Sequence, residues 1–219
     1  MIRDQVVWLY RTLGERGLIV GSAGNVSART VEDPKEGMLI TPSGGDPERV
    51  SAADLAHVTL DNEALDDMTP SSATPSSEWA LHAAVYRTCP GAAFIAHTHA
   101  DACTALACLN QPLPAFHYMV LQFGGDDVRC APYVTFGTPA LAELAAVAIE
   151  GRTACLLANH GMIVSARSTA EALTHSILLE TLSRQYLLAR SAGTPRLLTR
   201  QEMQDARERF KTYGPRPPI

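Results

Sequence analysis

The stretch AAFIAHTHADACTALA, residues 92–107, limits the possible folds of this chain more than any other. An apolar run of strand length ends on two histidines two positions apart, His97 and His99. Alternation along a strand sends both imidazoles to the same side, roughly 6.6 Å apart along the backbone. That is a workable bite for one metal ion, and such an ion needs a third ligand. His160, in LLANHGMIV, directly follows another apolar run, beside a glycine where the backbone can bend to aim it. Three neutral imidazoles leave a fourth position open, which marks a catalytic zinc site and not a closed structural one. His57, His82, His117 and His175 lack this spacing and read as hydrogen-bonded core or surface residues. Cys103 and Cys108 fall inside a helical stretch among apolar neighbours, which makes them weaker candidates as ligands.

The rest of the pattern supplies a fold to hold these strand ends. Residues 3–17 read as a helix with Val6, Val7, Leu9, Tyr10 and Leu13 on its apolar side, closed by Gly14 and Gly17. GSAGNVSAR, GMLITPSGG and LAHVTLD read as strands with glycine turns, and DDMTPSSATPSSE as a loop ending in an N-cap at Ser77. A helix is expected from Glu78 to about Thr88, halted by Pro90. Strand AAFIAHT, helix ADACTALACL and strand VRCAPYV follow, then a helix from Pro139 to Glu150 and strands ACLLA and MIVSA around the NHG turn. Ser168 caps a long helix to about Ala189, and a last helical piece precedes GPRPPI. Strands outnumber what simple βαβ winding needs. The expected architecture is a three-layer α/β/α sandwich with a mixed, largely antiparallel central sheet. At 219 residues, one domain spanning 1–219 with a short tail from about 206 is expected.

Composition removes several classes of function. A formal charge of −5, with Lys and Arg scattered and not striped, argues against a nucleic-acid or anionic-membrane surface. No window offers about 18 consecutive apolar residues, so no membrane span or signal peptide is expected and the cytoplasm is the expected compartment. Five cysteines, odd in number and in apolar settings, suit reduced, buried thiols better than disulfides. HEXXH, P-loop and dinucleotide fingerprints are missing.

Two further features bear on chemistry, and the residues alone leave both open. Glu78 opens a helix, so it is either a carboxylate stabilised by the helix dipole or a proton-transfer group beside the metal. The turns SAGN (22–25), PSG (42–44) and PSS (75–77) are either ordinary turns or small-residue cradles. As cradles, their N–H groups and hydroxyls would converge on a phosphate without a basic cluster.

GSAGNVSAR, MLITPSG, PSSEWALH, HTHADACTAL, FHYMV, CAPYVTFGT, LLANHGMIV and FKTYG occur in the order and spacing of the class II aldolase/adducin family, which the chain resembles over nearly its whole length. The resemblance implies that His97, His99 and His160 bind zinc, or Mn2+ or another divalent ion, with Glu78 next to it. It implies that Gly24, Asn25, Ser43, Gly44, Ser76 and Ser77 hold a substrate phosphate. Tyr118 would be a catalytic tyrosine reaching a neighbouring subunit's site, Tyr213 a tail residue closing over the substrate, and the assembly a cyclic homotetramer with sites between subunits.

The implied activity is cleavage of a small ketose 1-phosphate to dihydroxyacetone phosphate and an aldehyde. Breaking a carbon–carbon bond beside a ketone requires stabilising an enediolate, which a zinc ion chelated by the ketone and its neighbouring hydroxyl does as a Lewis acid. The chain has two lysines, Lys35 in a polar loop and Lys211 near the end, so a lysine-imine aldolase is poorly supported. Relatives on this scaffold set the alternatives: a metal-dependent decarboxylase of a β-oxo acid, a sugar-phosphate 4-epimerase or a dehydratase. The epimerase is expected to carry Asp where this chain has Glu78. An adducin-like structural protein is expected to lose the metal ligands present here.

Overall fold

A computed structural model describes residues 1–32, 35–60 and 73–212. A seven-stranded sheet forms the middle layer, built from β1 (Gly24–Glu32), β2 (Lys35–Ile40), β3 (Ala56–Thr59), β4 (Phe94–Thr98), β5 (Cys130–Ala131), β6 (Ala154–Leu157) and β7 (Gly161–Ala166). Their spatial order is β3-β2-β1-β4-β7-β6-β5. Every neighbouring pair is antiparallel except β5 with β6. The expected mixed, largely antiparallel sheet is therefore what the chain forms.

Strand alternation sorts the core into two layers. Val26, Ala28, Phe94, Ala96, Met162 and Val164 pack on one face with α1 (Ile2–Glu15), α3 (Asp101–Ala107) and α5 (Thr169–Ala192). Ile95, Cys155, Leu157 and Ile163 pack on the other with α2 (Trp79–Thr88) and α4 (Pro139–Ile149). In α1 the buried residues Val6, Leu9, Tyr10 and Leu13 recur at helical spacing, so one stripe faces the sheet. Thr138 accepts the Leu141 N–H at the start of α4, and Ser168 accepts the Glu171 N–H at the start of α5. Thr199 and Glu202 form a reciprocal box at the start of α6 (Arg200–Phe210). Buried Glu180 on α5 accepts the Ala102 and Cys103 N–H groups at 2.9–3.0 Å, and so anchors the helix that begins just after His99.

Three boundaries differ from the sequence reading. Helix α2 begins at Trp79 with Glu78, not Ser77, as its cap residue. Glu78 makes no capping bond, because its carboxylate turns to the histidines instead. The strand expected over VRCAPYV shrinks to Cys130–Ala131 at the sheet edge, where Pro132 supplies no N–H to continue the ladder. A 3-10 turn over Tyr118–Phe123 stands where no regular element was expected. Residues 66–72 of the Ser/Thr/Pro-rich stretch and Tyr213 lie outside the described residues. All five cysteines are free. Among the described residues, no helix is long and apolar enough to cross a membrane.

Candidate metal centre and active site

Antiparallel pairing of β4 with β7 brings the two histidine motifs together. His97 lies opposite Ile163 and Thr98 opposite Met162, so His99 and the turn holding His160 emerge at the same sheet end. Asn159 turns the chain with φ +56°, and Gly161 then lets β7 run close to β4. A Cβ on Gly161 would collide with the Thr98 carbonyl and crowd the His99 ring at 3.1 Å. The three imidazole centroids lie 4.7–4.9 Å apart. One ligand atom from each of Glu78, His97, His99 and His160 lies within 4.8 Å of all the others.

The hydrogen bonds say what this cluster needs. His97 Nδ1–H donates to the Met162 carbonyl at 2.9 Å, which turns its Nε2 lone pair inward. That nitrogen lies 3.0 Å from His99 Nε2 and 3.0 Å from Glu78 Oε2. His160 Nε2 lies 3.3 Å from Glu78 Oε1. Acceptors this close repel unless a positive charge sits among them, either a shared proton or a cation. Three nitrogen donors and one carboxylate suit a divalent ion of the zinc type, so the residues fit the metal that the sequence implies.

Burial alone would raise the Glu78 carboxyl. The neighbouring His97 and His160 rings and the hydrogen bond from Asn25 outweigh burial and hold it well below the usual carboxylate range. Burial, then the neighbouring His97 ring, lowers His99 to about 4, and the same causes lower His160 to about 4. Fully buried His82, behind them, is lowered to about 3, first by burial and then by His97. These rings are therefore neutral near pH 7, the state in which imidazole binds metal.

The cluster forms one wall of a cavity of about 510 Å³. Gly24, Asn25, Ser43, Gly44, Ser76, Ser77, Glu78, His99 and His160 all line it. His97, fully buried, sits behind them. Two turns are joined where Pro42 bridges Pro75 and Ser43 N–H donates to the Thr74 carbonyl at 2.9 Å. Gly24 is required where it stands, because a Cβ there would meet the His97 carbonyl at 2.8 Å and Ile19 at 2.9 Å. Tyr133, Val134 and Phe136 also line it, on a segment whose Gly137 packs against Ser77. A larger cavity, about 600 Å³, opens at the far end of β4 and β7, where Arg152 and Arg167 are paired with Asp127 and Glu171. Tyr118 is half-exposed, stacked on His117 and outside the metal cavity.

The pattern described as Class II Aldolase and Adducin N-terminal domain matches residues 4–187. The chain belongs to this family. It is 39% identical over 213 residues to a 5-methylthioribulose-1-phosphate/5-deoxyribulose-1-phosphate aldolase of Rhodospirillum rubrum, covering 97% of this chain and 92% of that one. It is 40% identical over 199 residues to an L-fuculose phosphate aldolase of Escherichia coli, covering 90% and 88%. A solved L-fuculose 1-phosphate aldolase superposes with a TM-score of 0.87 at 37% identity, covering 96% of each chain. This class II aldolase is thus a lyase by kinship, and it assembles a donor set that could hold a metal ion.

Sequence reasoning passed over Ser27 and Tyr86 and read His82 as a hydrogen-bonded core or surface residue; it is buried and bonded, and the three stand behind the site in a chain that reaches Asn25. A signal was there: Glu78, His82 and Tyr86 are spaced by four, Asn25 and Ser27 by two, matching one helix side and one strand face.

Two outcomes follow from the geometry. His97→Ala should remove most of one divalent ion per chain, measured by elemental analysis after dialysis; retention of wild-type metal would contradict this ligand set. In metal-free protein, His82, His99 and His160 take up protons near 6.5 when unfolded but only at about 3–4 when folded. Their contribution to stability is full above about pH 6.5 and is lost as pH falls toward the folded values. The melting temperature should therefore be level from about pH 8 to 6.5 and drop steadily to pH 5, whereas an unchanged value at pH 5 would refute the buried neutral rings.

Proposed function

We propose that this aldolase cleaves a small ketose 1-phosphate to dihydroxyacetone phosphate and an aldehyde, with zinc as its ion. The observation that carries this reading is one cavity lined by a metal-type cluster, by small-residue turns and by the side chains of Tyr133, Val134 and Phe136. The Gly44 and Ser77 N–H groups and the Ser43, Ser76 and Ser77 hydroxyls hold the phosphate without a cationic side chain, on turns at Gly24–Asn25, Ser43–Gly44 and Ser76–Ser77 that are braced by the Gly24, Ser43 and Ser76 N–H bonds to Ser22, Thr74 and Thr41. The side chains of Tyr133, Val134 and Phe136 suit an aldehyde half with a short apolar tail. This agrees with the fuculose, methylthioribulose and deoxyribulose phosphates named for the relatives.

The bound ion would supply a Lewis acid at the ketone and its neighbouring hydroxyl, accepting charge as the carbon–carbon bond breaks. Glu78 carries the proton of the reacting carbon in the dihydroxyacetone phosphate half. Its Oε1 accepts no hydrogen bond among the described residues and is open to do so. Tyr118, exposed and outside its own cavity, serves the aldehyde oxygen in a neighbouring subunit's site, and Tyr213 closes over the substrate. A cytoplasmic homotetramer provides that neighbour.

The test is a panel of ketose 1-phosphates and β-oxo acids with zinc-loaded protein. Dihydroxyacetone phosphate should appear without carbon dioxide; carbon dioxide instead would make the protein a decarboxylase. With the best substrate, Ser43→Ala should raise KM about 10- to 100-fold and leave metal content alone, since a lost donor to a charged group costs about 1.5–3 kcal/mol. Equal use of the unphosphorylated ketose would contradict the phosphate site.

A further inference from the structure

Beneath the active site, between α2 and β1, a line of buried polar side chains is left unused by the chemistry above. Tyr86 Oη lies 2.9 Å from Ser27 Oγ, and Ser27 Oγ lies 2.7 Å from His82 Nδ1. His82 Nε2 lies 2.5 Å from Asn25 Oδ1, and Asn25 Nδ2 lies 3.2 Å from Glu78 Oε2. Tyr86, Ser27 and His82 are fully buried, and Asn25 is 5% exposed. Burying so many polar atoms costs stability unless each is paired.

One arrangement of protons pairs them all. An ionised carboxylate only accepts, so the Asn25 amide must donate to Glu78 and turn its oxygen toward His82. His82 Nε2 must then carry the hydrogen, which leaves Nδ1 to accept from the Ser27 hydroxyl. Ser27 in turn accepts from Tyr86 O–H. Every hydrogen in the chain points toward Glu78.

We propose that His82 is a positioning residue: held by Ser27 and Tyr86, it fixes the Asn25 amide so that one Glu78 oxygen is pinned and the other left free. Oε2 accepts from Asn25, while Oε1 lies 3.3 Å from His160 and accepts no hydrogen bond among the described residues. A carboxylate tethered by one oxygen keeps its other lone pairs aimed into the cavity. Without His82 the amide is free to rotate and present its oxygen to Glu78, repelling the carboxylate it now holds. The catalytic consequence rests on the aldolase reading; the pinning of the amide does not.

The test compares His82→Leu, which removes the donor, with His82→Gln, whose amide reaches the same position as the imidazole Nε2–H. The chain has four asparagines, so asparagine-selective 15N labelling makes the Asn25 side-chain amide observable in metal-free and zinc-loaded protein alike. That amide should be protected from hydrogen exchange in wild type and His82→Gln, and at least about tenfold less so in His82→Leu. With the ketose 1-phosphate that wild type cleaves, His82→Leu should lose about 10²-fold in kcat with KM and zinc content kept, because a misplaced base costs about that much. His82→Gln should recover most of it. Wild-type protection and kcat in His82→Leu would overturn the proposal, as would a His82→Gln variant as impaired as His82→Leu. If His82→Leu does not fold, Ser27→Ala decides: weaker Asn25 protection with lower kcat and kept KM supports the proposal, and wild-type values overturn it. Should wild type cleave no ketose phosphate, the aldolase reading fails, and amide protection alone still decides whether His82 pins Asn25.

Discussion

His97 sits on a strand that is hydrogen-bonded along both edges, and the register of those two ladders decides everything built around it. On one side Asn25 lies opposite His97; on the other, Met162 lies opposite Thr98 and offers its carbonyl to the His97 ring. A slip of one residue would send His97 to the α1/α5 face and Thr98 into the site. Apolar neighbours prevent this: Ile95 belongs to the α2/α4 core, and Phe94 and Ala96 to the opposite one. Hydrophobic alternation, a non-specific force, thereby fixes the position of a specific metal ligand.

From that register the electrostatics follow. Three imidazoles and a carboxylate are crowded into a space that only a positive charge makes tolerable, and burial keeps His99 and His160 neutral to receive it. Ser, Thr, Asp or Asn at the cap position of α2 would contribute about 0.5–2 kcal/mol to the helix, but Glu78 stands there. It makes no capping bond and faces the histidines, held by Asn25. The site thus trades local helix stability for a placed carboxylate, as functional sites commonly do.

Much of this is legible in the sequence. The H-x-H pair and the NHG turn sit at the ends of apolar runs, and period-two alternation is a local signal that survives without tertiary knowledge. The layered sandwich followed from counting strands. What stayed hidden depends on contacts between distant segments. Ser77 was the expected cap because Ser suits that position, and only the nearby histidines explain why Glu78 takes it without capping. His82 read as an ordinary core histidine because its partners, Ser27 and Asn25, lie more than fifty residues away in sequence. The six-residue turn carrying Tyr118 is too short for any periodicity to announce.

As proposed, Glu78 carries the proton of the reacting carbon and does not merely begin a helix. Exchange of the pro-chiral hydrogen of dihydroxyacetone phosphate with solvent deuterium, followed by NMR on zinc-loaded protein, reports that step without any aldehyde present. Wild type should exchange it, and Glu78→Gln should slow it by about 10²–10⁴ while remaining folded, because the amide keeps the shape but cannot take the proton. Wild-type exchange in a folded, metal-bound Glu78→Gln variant would contradict the account.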